Sequence, residues 1–236
     1  MSERRPEATA RRIEPLATLP LFHKLDGRKA VLAGHGEGAL WKAELLAAAG
    51  AELHVFAGPE AASFAPLATG EAAARIHLHA RRWSAEDLAG AALAVADLDD
   101  AGEIQAFVAA ARRAGAPVNI VDKPEFCDFA FGALVNRSPL VVAVSTDGAA
   151  PVFGQAIRTK IEALLPAGLK GWAQAASDWR PAVQARELPF ALRRAFWELF
   201  AGKAMAEQER EPTRQDAAEL FAKLADLEAM HDGRGR

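Results

Sequence analysis

The chain has 236 residues, 51% of them apolar, and a formal net charge of −3 at pH 7, enough to bury a substantial core in one domain of moderate size plus a smaller one. That balance provides no global field for nucleic acid or a membrane surface, and no apolar run long enough to span a bilayer appears. The single Cys127 excludes an internal disulfide framework, the lack of tyrosine excludes the Tyr/Lys pair of short-chain dehydrogenases, and H-E-x-x-H, C-x-x-C and G-x-S-x-G are all missing.

Residues 1–18 are polar, arginine-rich and punctuated by proline, and are expected to form a loose extension. They lack the apolar segment of a signal peptide, so the expected compartment is the cytoplasm. Leu19-Pro20-Leu21-Phe22 is expected to begin the fold. Ala30–Ala33 reads as a buried parallel strand, and Gly34-His35-Gly36-Glu37-Gly38-Ala39 fits G-x-G-x-x-A directly after it. In that reading Gly34 makes the tight turn and Gly36 admits a pyrophosphate. Glu37 and Gly38 complete the loop, and Ala39 lets the next helix pack close with its N–H groups toward the phosphates. Gly50 ends this helix before a second strand, Leu53–Phe56. No acid closes that strand for a ribose, so backbone groups at Gly58 and Pro59 are expected to contact the adenosine side. No arginine stands nearby in sequence, which favours NAD over NADP. Gly34-x-Gly36-x-Gly38 also fits the turn of S-adenosylmethionine methyltransferases, and a glycine turn that binds nothing is a further alternative.

Pro59–Gly70 reads as a short helix or loop, and Ile76–Ala80 as a strand carrying His77 and His79 on one solvated face. Ser84 is the expected N-cap of another helix. Leu93–Ala96 is strand four. Asp97, Asp99 and Asp100 are expected to cap a helix from Ala101 to Ala114, and Val118–Val121 is strand five. Strands alternating with helices predict an α/β fold with a Rossmann-like, parallel, doubly wound sheet. Asp122 follows strand five at the edge where ligands bind in such sheets, and is either a general base or the cap of a turn before Pro124. Phe129–Val135 and Leu140–Ser145 read as an antiparallel hairpin joined by residues 136–139. Its apolar faces need cover, which predicts a homodimer. Pro151 opens a helix with Ile157, Ile161, Leu164 and Leu165 on one stripe. Trp172, Trp179, Phe190, Phe196, Trp197 and Phe200 read as the core of a small helical domain, and an amphipathic helix follows through Leu220, Phe221, Leu224 and Leu227. The expected division is an extension at 1–18, an NAD-binding domain at 19–128, a dimerisation hairpin at 129–150 and a helical domain at 151–236.

Asn119-Ile120-Val121-Asp122-Lys123-Pro124, with Asn136-Arg137-Ser138-Pro139-Leu140-Val141-Val142-Ala143-Val144-Ser145-Thr146-Asp147-Gly148 and Ala150-Pro151 after it, resembles the precorrin-2 dehydrogenase / sirohydrochlorin ferrochelatase module of siroheme synthases. Arg194-Ala195-Phe196-Trp197-Glu198 is similar to that family's helical-domain signature, so the resemblance spans roughly Leu19 to Phe200. It implies NAD-dependent oxidation of precorrin-2 to sirohydrochlorin and, in many members, insertion of ferrous iron to give siroheme, within an interlocked homodimer. It also implies Asp122 as the catalytic carboxylate, Asp99 beside the cofactor, and Lys123, Arg137, Ser145 and Thr146 on the substrate side. The macrocycle would hold the iron, so no metal ligands are expected from the protein. Arg158, Lys160, Arg193 and Arg194 are further partners for substrate carboxylates, although solvated helix faces explain them equally well. The chain departs from the family at Leu98, where many members have threonine, and at Thr146, where many have a second serine. His231–Arg236 resembles the point where bifunctional synthases enter a methyltransferase half. A dehydrogenase without chelatase activity and a non-catalytic NAD sensor are the alternatives.

Overall fold

The structure is a computed structural model and describes residues 14–234. Of the expected extension, residues 1–13 lie outside the described residues, as do Gly235 and Arg236; residues 14–18 are exposed and outside any helix or strand. The chain divides into two compact units, Met1–Ala130 and Phe131–Arg236.

The first unit is a five-stranded parallel sheet in the order β3-β2-β1-β4-β5. Its strands are β1 (Lys29–Gly34), β2 (Glu52–Phe56), β3 (Ile76–His79), β4 (Leu93–Asp97) and β5 (Val118–Ile120), with helices α1 (Glu37–Ala48) and α2 (Ala101–Arg113) between them. Ala30, Val31, Leu32 and Ala33 of the central strand have no exposed surface, as a strand covered on both faces requires. On one face α2 packs Ile104, Phe107 and Ala111 against Val31, Ala33, Ala96 and Ile120. The alternate residues Ala30 and Leu32 point to the other face, and α1 packs on β1, β2 and β4. Phe107 is fully buried and meets Trp83 edge-on at 5.0 Å, so its truncation to alanine would cost ~3–5 kcal/mol.

Two expectations for this unit need correction. Leu19, Leu21 and Phe22 are 68%, 79% and 73% exposed, and the first buried side chain is Leu25; the proline-bearing run is apolar but meets no core. Ser84 does start a capping box with Asp87, yet it heads only the single 3-10 turn Ala85–Leu88. Gly90, at φ +72, breaks the chain away before a second turn forms.

The second unit begins with the antiparallel pair β6 (Ala133–Arg137) and β7 (Leu140–Val144), followed by α3 (Pro151–Ala163), α4 (Gly168–Gln184), α5 (Phe190–Ala206) and α6 (Arg214–Arg234). The hairpin is tighter than expected: Asn136 and Arg137 pair within β6, and only Ser138 and Pro139 turn the chain. Asn136 accounts for this, because its side-chain oxygen accepts from the Ser138 N–H and hydroxyl at 2.8 and 2.6 Å, a local bond that closes the turn. Arg158 of α3 fastens to the hairpin by donating to the Leu134 carbonyl at 2.7 Å.

The helical core is Trp172, Phe196, Phe200, Leu220 and Leu224, with Trp179, Trp197 and Phe221 packed against it. Phe190 and Leu164 do not join it and are 72% and 74% exposed. Each sits at a helix boundary, Phe190 at the first residue of α5 and Leu164 at the cap of α3, where helical spacing no longer fixes the side chain's face. Asp216 is the polar anchor of this unit. Its carboxylate accepts from Arg210 at 2.8 and 2.9 Å, from the Thr213 N–H at 2.7 Å and from the Thr213 hydroxyl at 2.8 Å, and it pairs with Lys203 of α5 at 2.9 Å.

Candidate functional site

The Gly34–Ala39 turn is shaped by what approaches it. Gly34 and Gly36 have φ of +95 and +119, a region closed to most side chains. A Cβ at Gly34 would run into the Asp97 backbone carbonyl, and one at Gly36 would lie 2.9 Å from the Asp97 Oδ2. At Gly38 the obstacle is Val121, whose Cγ1 would be 2.7 Å away. The ends of β4 and β5 therefore press against the turn, and each glycine is there for a separate steric reason. Helix α1 begins at Glu37 with Gly36 as its N-cap and no side-chain cap. The positive end of its dipole thus stands at the C-terminal edge of the sheet, an arrangement that fits a phosphate-bearing group.

One N–H of that first turn is engaged: Ala39 donates to the Asp97 Oδ2 at 3.1 Å. Asp97 is therefore not a cap of α2, as expected, but turns toward α1. Asp100 is the N-cap of α2, accepting from the Glu103 N–H at 2.7 Å. Burial pushes the Asp97 carboxyl above the usual carboxylate range, with the Ala39 N–H opposing and Asp99 and Asp122 adding to the rise. Asp99 itself is exposed in the loop before α2.

At the end of β2, Gly58 has φ +58 and its N–H donates to the Arg81 carbonyl at 3.3 Å, while Pro59 opens the 3-10 stretch Gly58–Leu67. The expectation that no arginine lies near this end is corrected. The Arg81 guanidinium is 4.8 Å from the Phe56 ring, brought there by β3 pairing alongside β2. Both of its terminal nitrogens donate to the Asp87 carboxylate at 2.7 Å. The Arg81 pair, ahead of Ser84, holds the Asp87 carboxyl well below the usual range.

Asp122 follows β5 in the left-handed region, at φ +57, and is exposed. Lys42 on α1 was not singled out by its place in the sequence. It is half-buried, and burial lowers its amine while the charges of Asp122, Cys127 and Asp97 oppose that fall. One cation of α1 thus shares its surroundings with the candidate base and with the carboxylate at the turn. Lys123 donates to the Leu98 carbonyl at 3.0 Å and ties the loops after β4 and β5 together. The Leu98 side chain is buried. Cys127 accepts from the Ile120 N–H at 3.2 Å and can donate to the Lys123 carbonyl at 3.3 Å. Burial raises its thiol, and its bonds to Ile120 and Lys123 tie the end of β5 to the turn that follows.

The remaining candidates lie in the second unit. Arg137 donates to the Leu165 carbonyl at 2.9 Å and approaches Glu162, so its first task is to hold the hairpin to the end of α3. The Ser145 hydroxyl accepts from the Asp147 N–H at 3.1 Å, and the Thr146 carbonyl accepts from the Ala149 N–H at 3.0 Å, in the turn that leads to α3. His77 and His79 share a face with His54, as strand alternation requires, with ring centroids 4.5 and 5.4 Å from His54. Among the described residues no group of three or more His, Cys, Asp or Glu is disposed to hold a metal ion, and no helix is long and apolar enough to cross a membrane.

A five-stranded parallel sheet whose first strand runs through this glycine turn into a helix with no cap from its own N-cap residue defines a Rossmann-like fold of the dinucleotide-binding kind. In agreement, residues 21–133 match the family described as "Putative NAD(P)-binding". The siroheme synthases of Stutzerimonas stutzeri and Pseudomonas entomophila are both 41% identical to the chain, over 88% and 91% of its length. The chain is similar to these siroheme synthases over most of its own length, and it spans 44% of the length of these two relatives. A solved structure described as "SirC, precorrin-2 dehydrogenase" shares the fold, with a TM-score of 0.62 over 89% of this chain and 100% of that one at 18% identity.

Proposed function

We propose that this protein oxidises precorrin-2 to sirohydrochlorin with NAD⁺ and then inserts ferrous iron to give siroheme. The observation that carries the reading is the placing of the glycine turn and Asp122 at the same C-terminal edge of one parallel sheet, in a homologue of siroheme synthases. When bound, NAD⁺ supplies a hydride acceptor. Gly34, Gly36, Glu37, Gly38 and Ala39 would hold its phosphates, and Gly58 and Pro59 its adenosine side. Asp122 accepts the proton that leaves as the hydride departs, and being exposed it passes that proton to water. The same carboxylate takes pyrrole protons as iron enters the macrocycle. Lys42 supplies positive charge in its surroundings. Lys123, Arg137, Ser145 and Thr146 are assigned to the substrate side.

NAD is preferred to NADP in this reading because the arginine near the end of β2 is already committed to Asp87. The β6–β7 hairpin is the proposed dimer contact, and the cytoplasm the proposed compartment. Anaerobic absorbance with precorrin-2 tests the reaction, first with NAD⁺ alone and then with Fe²⁺ added. Stepwise formation of sirohydrochlorin and siroheme is expected. A spectrum that stops at sirohydrochlorin identifies a dehydrogenase only, and no change with NAD⁺ overturns the proposal.

A further inference from the structure

We propose that the Asp97 carboxylate is a built-in occupant of the anion position at the head of α1, so that the dinucleotide binds only as that side chain swings aside; this rests on the dinucleotide reading above. The helix offers its first-turn N–H groups without a cap of its own, and the acid from the end of β4 supplies what a cap would. Its Oδ2 accepts from the Ala39 N–H at 3.1 Å and stands 2.9 and 3.4 Å from where Cβ atoms on Gly36 and Gly38 would be. The oxygen therefore sits within the concavity that the glycines leave open. A pyrophosphate drawn to the same dipole needs that space and those donors, and it carries charge of the same sign.

Nothing in the neighbouring helix requires Asp97 to be there, because α2 is capped by Asp100. The Asp97 backbone is pinned, since its carbonyl lies against Gly34, so the side-chain torsion is the part free to move. Charges around it come from several elements: Asp99 in its own loop, Asp122 and Lys123 after β5, and Lys42 on α1. The two lysines are the cations whose charge reaches it.

The test is NADH binding, by nicotinamide fluorescence, to the full chain as wild type, Asp97→Asn and Asp97→Ala, with thermal unfolding followed with and without NADH. Asn removes the charge but keeps an acceptor for Ala39; Ala removes both. Binding should tighten in the order wild type, Asn, Ala, by about tenfold or more for Ala, as for removal of a like charge a few ångströms from a phosphate. Unliganded Asp97→Ala should melt earlier than wild type yet show the larger rise in Tm on adding NADH. If Asp97→Ala does not fold, Asp97→Asn alone decides, with tighter binding supporting the proposal. Equal or weaker binding by folded variants overturns the role of Asp97 and leaves the dinucleotide reading standing. No NADH binding by any of the three proteins overturns the dinucleotide reading and this inference with it.

Discussion

Asp87→Asn separates two jobs that one carboxylate performs near the end of β2, the proposed adenosine end of the cofactor site. The Asp87 side chain is 14% exposed and accepts two bonds from Arg81 at 2.7 Å, one from the Ser84 N–H at 2.8 Å and one involving the Ser84 hydroxyl at 3.0 Å. Asparagine keeps one acceptor oxygen, so a weakened cap remains and the bidentate pair does not. Arg81 is 53% exposed, so solvent screens the ion pair and its own contribution is small. With a weakened cap the total loss should be about 1–2 kcal/mol. The sign with pH follows from the carboxyl being depressed by Arg81: its contribution is present above the unfolded value near 3.8 and disappears as pH falls below that value. The gap between wild type and variant should be flat near neutrality and close in acid. Cofactor choice is the functional consequence. A guanidinium freed beside Phe56 can pair with a ribose phosphate, and the ratio of NADP⁺ to NAD⁺ affinity should move about tenfold toward NADP⁺. Calorimetric titration of both dinucleotides reads this directly, and adding Arg81→Ala should reverse it. A folded Asp87→Asn protein with an unchanged ratio would refute the placing of Arg81 at the ribose.

Asp122→Asn should lower turnover of precorrin-2 by ~10²–10⁴-fold while NADH affinity stays within a few-fold, and near-normal turnover with a lowered Tm would make Asp122 a turn residue only. Asp216, 4% exposed at its side chain, holds Arg210, Lys203 and Thr213 together; Asp216→Ala should cost about 1–3 kcal/mol in urea unfolding, through the lost Thr213 and Arg210 bonds, because Lys203 keeps Glu207 and Glu219 and Arg210 keeps Glu207. Arg210 leads in holding the Asp216 carboxyl well below its usual range, so that difference should also fade as pH falls below the carboxylate range. Light scattering at micromolar concentration should give twice the 25.1 kDa chain mass, and a monomer would mean that the chain covers its own hairpin.

The parallel sheet was legible because its strands are short apolar runs set between glycine and acidic punctuation, and β1 and β2 came out within about a residue of expectation. The capping of α2 was legible for the same local reason, with Asp100 three residues before the N–H it accepts from. Legibility failed at Ser84, whose capping box with Asp87 is a true helix-start signal. The box satisfies the N-terminal N–H groups, but continuation needs residues that favour another turn, and Gly90 supplies the opposite. It failed again at Leu19–Phe22, where apolar character says nothing about whether a surface exists to receive it. Phe190 and Leu164 show the same limit at helix ends.

The site shows a different kind of limit. Gly34, Gly36 and Gly38 announce a turn, but what makes each glycine necessary is the tip of β4 or β5, far away in sequence. Arg81 reaches Phe56, and Lys42 comes near Asp122, only because parallel strands bring their C-terminal ends to one edge. A run of acids such as Asp97-Leu98-Asp99-Asp100 looks uniform before a helix, since any of them could cap it. The fold divides them: Asp100 reaches forward to α2, Asp99 stays in solvent, and Asp97 reaches across to α1. The residue expected to cap α2 is therefore the one that reaches the glycine turn. A carboxylate in a concavity suited to phosphate competes with the ligand that the concavity fits, so the same geometry that supports a dinucleotide site makes Asp97 the side chain whose removal should tighten it.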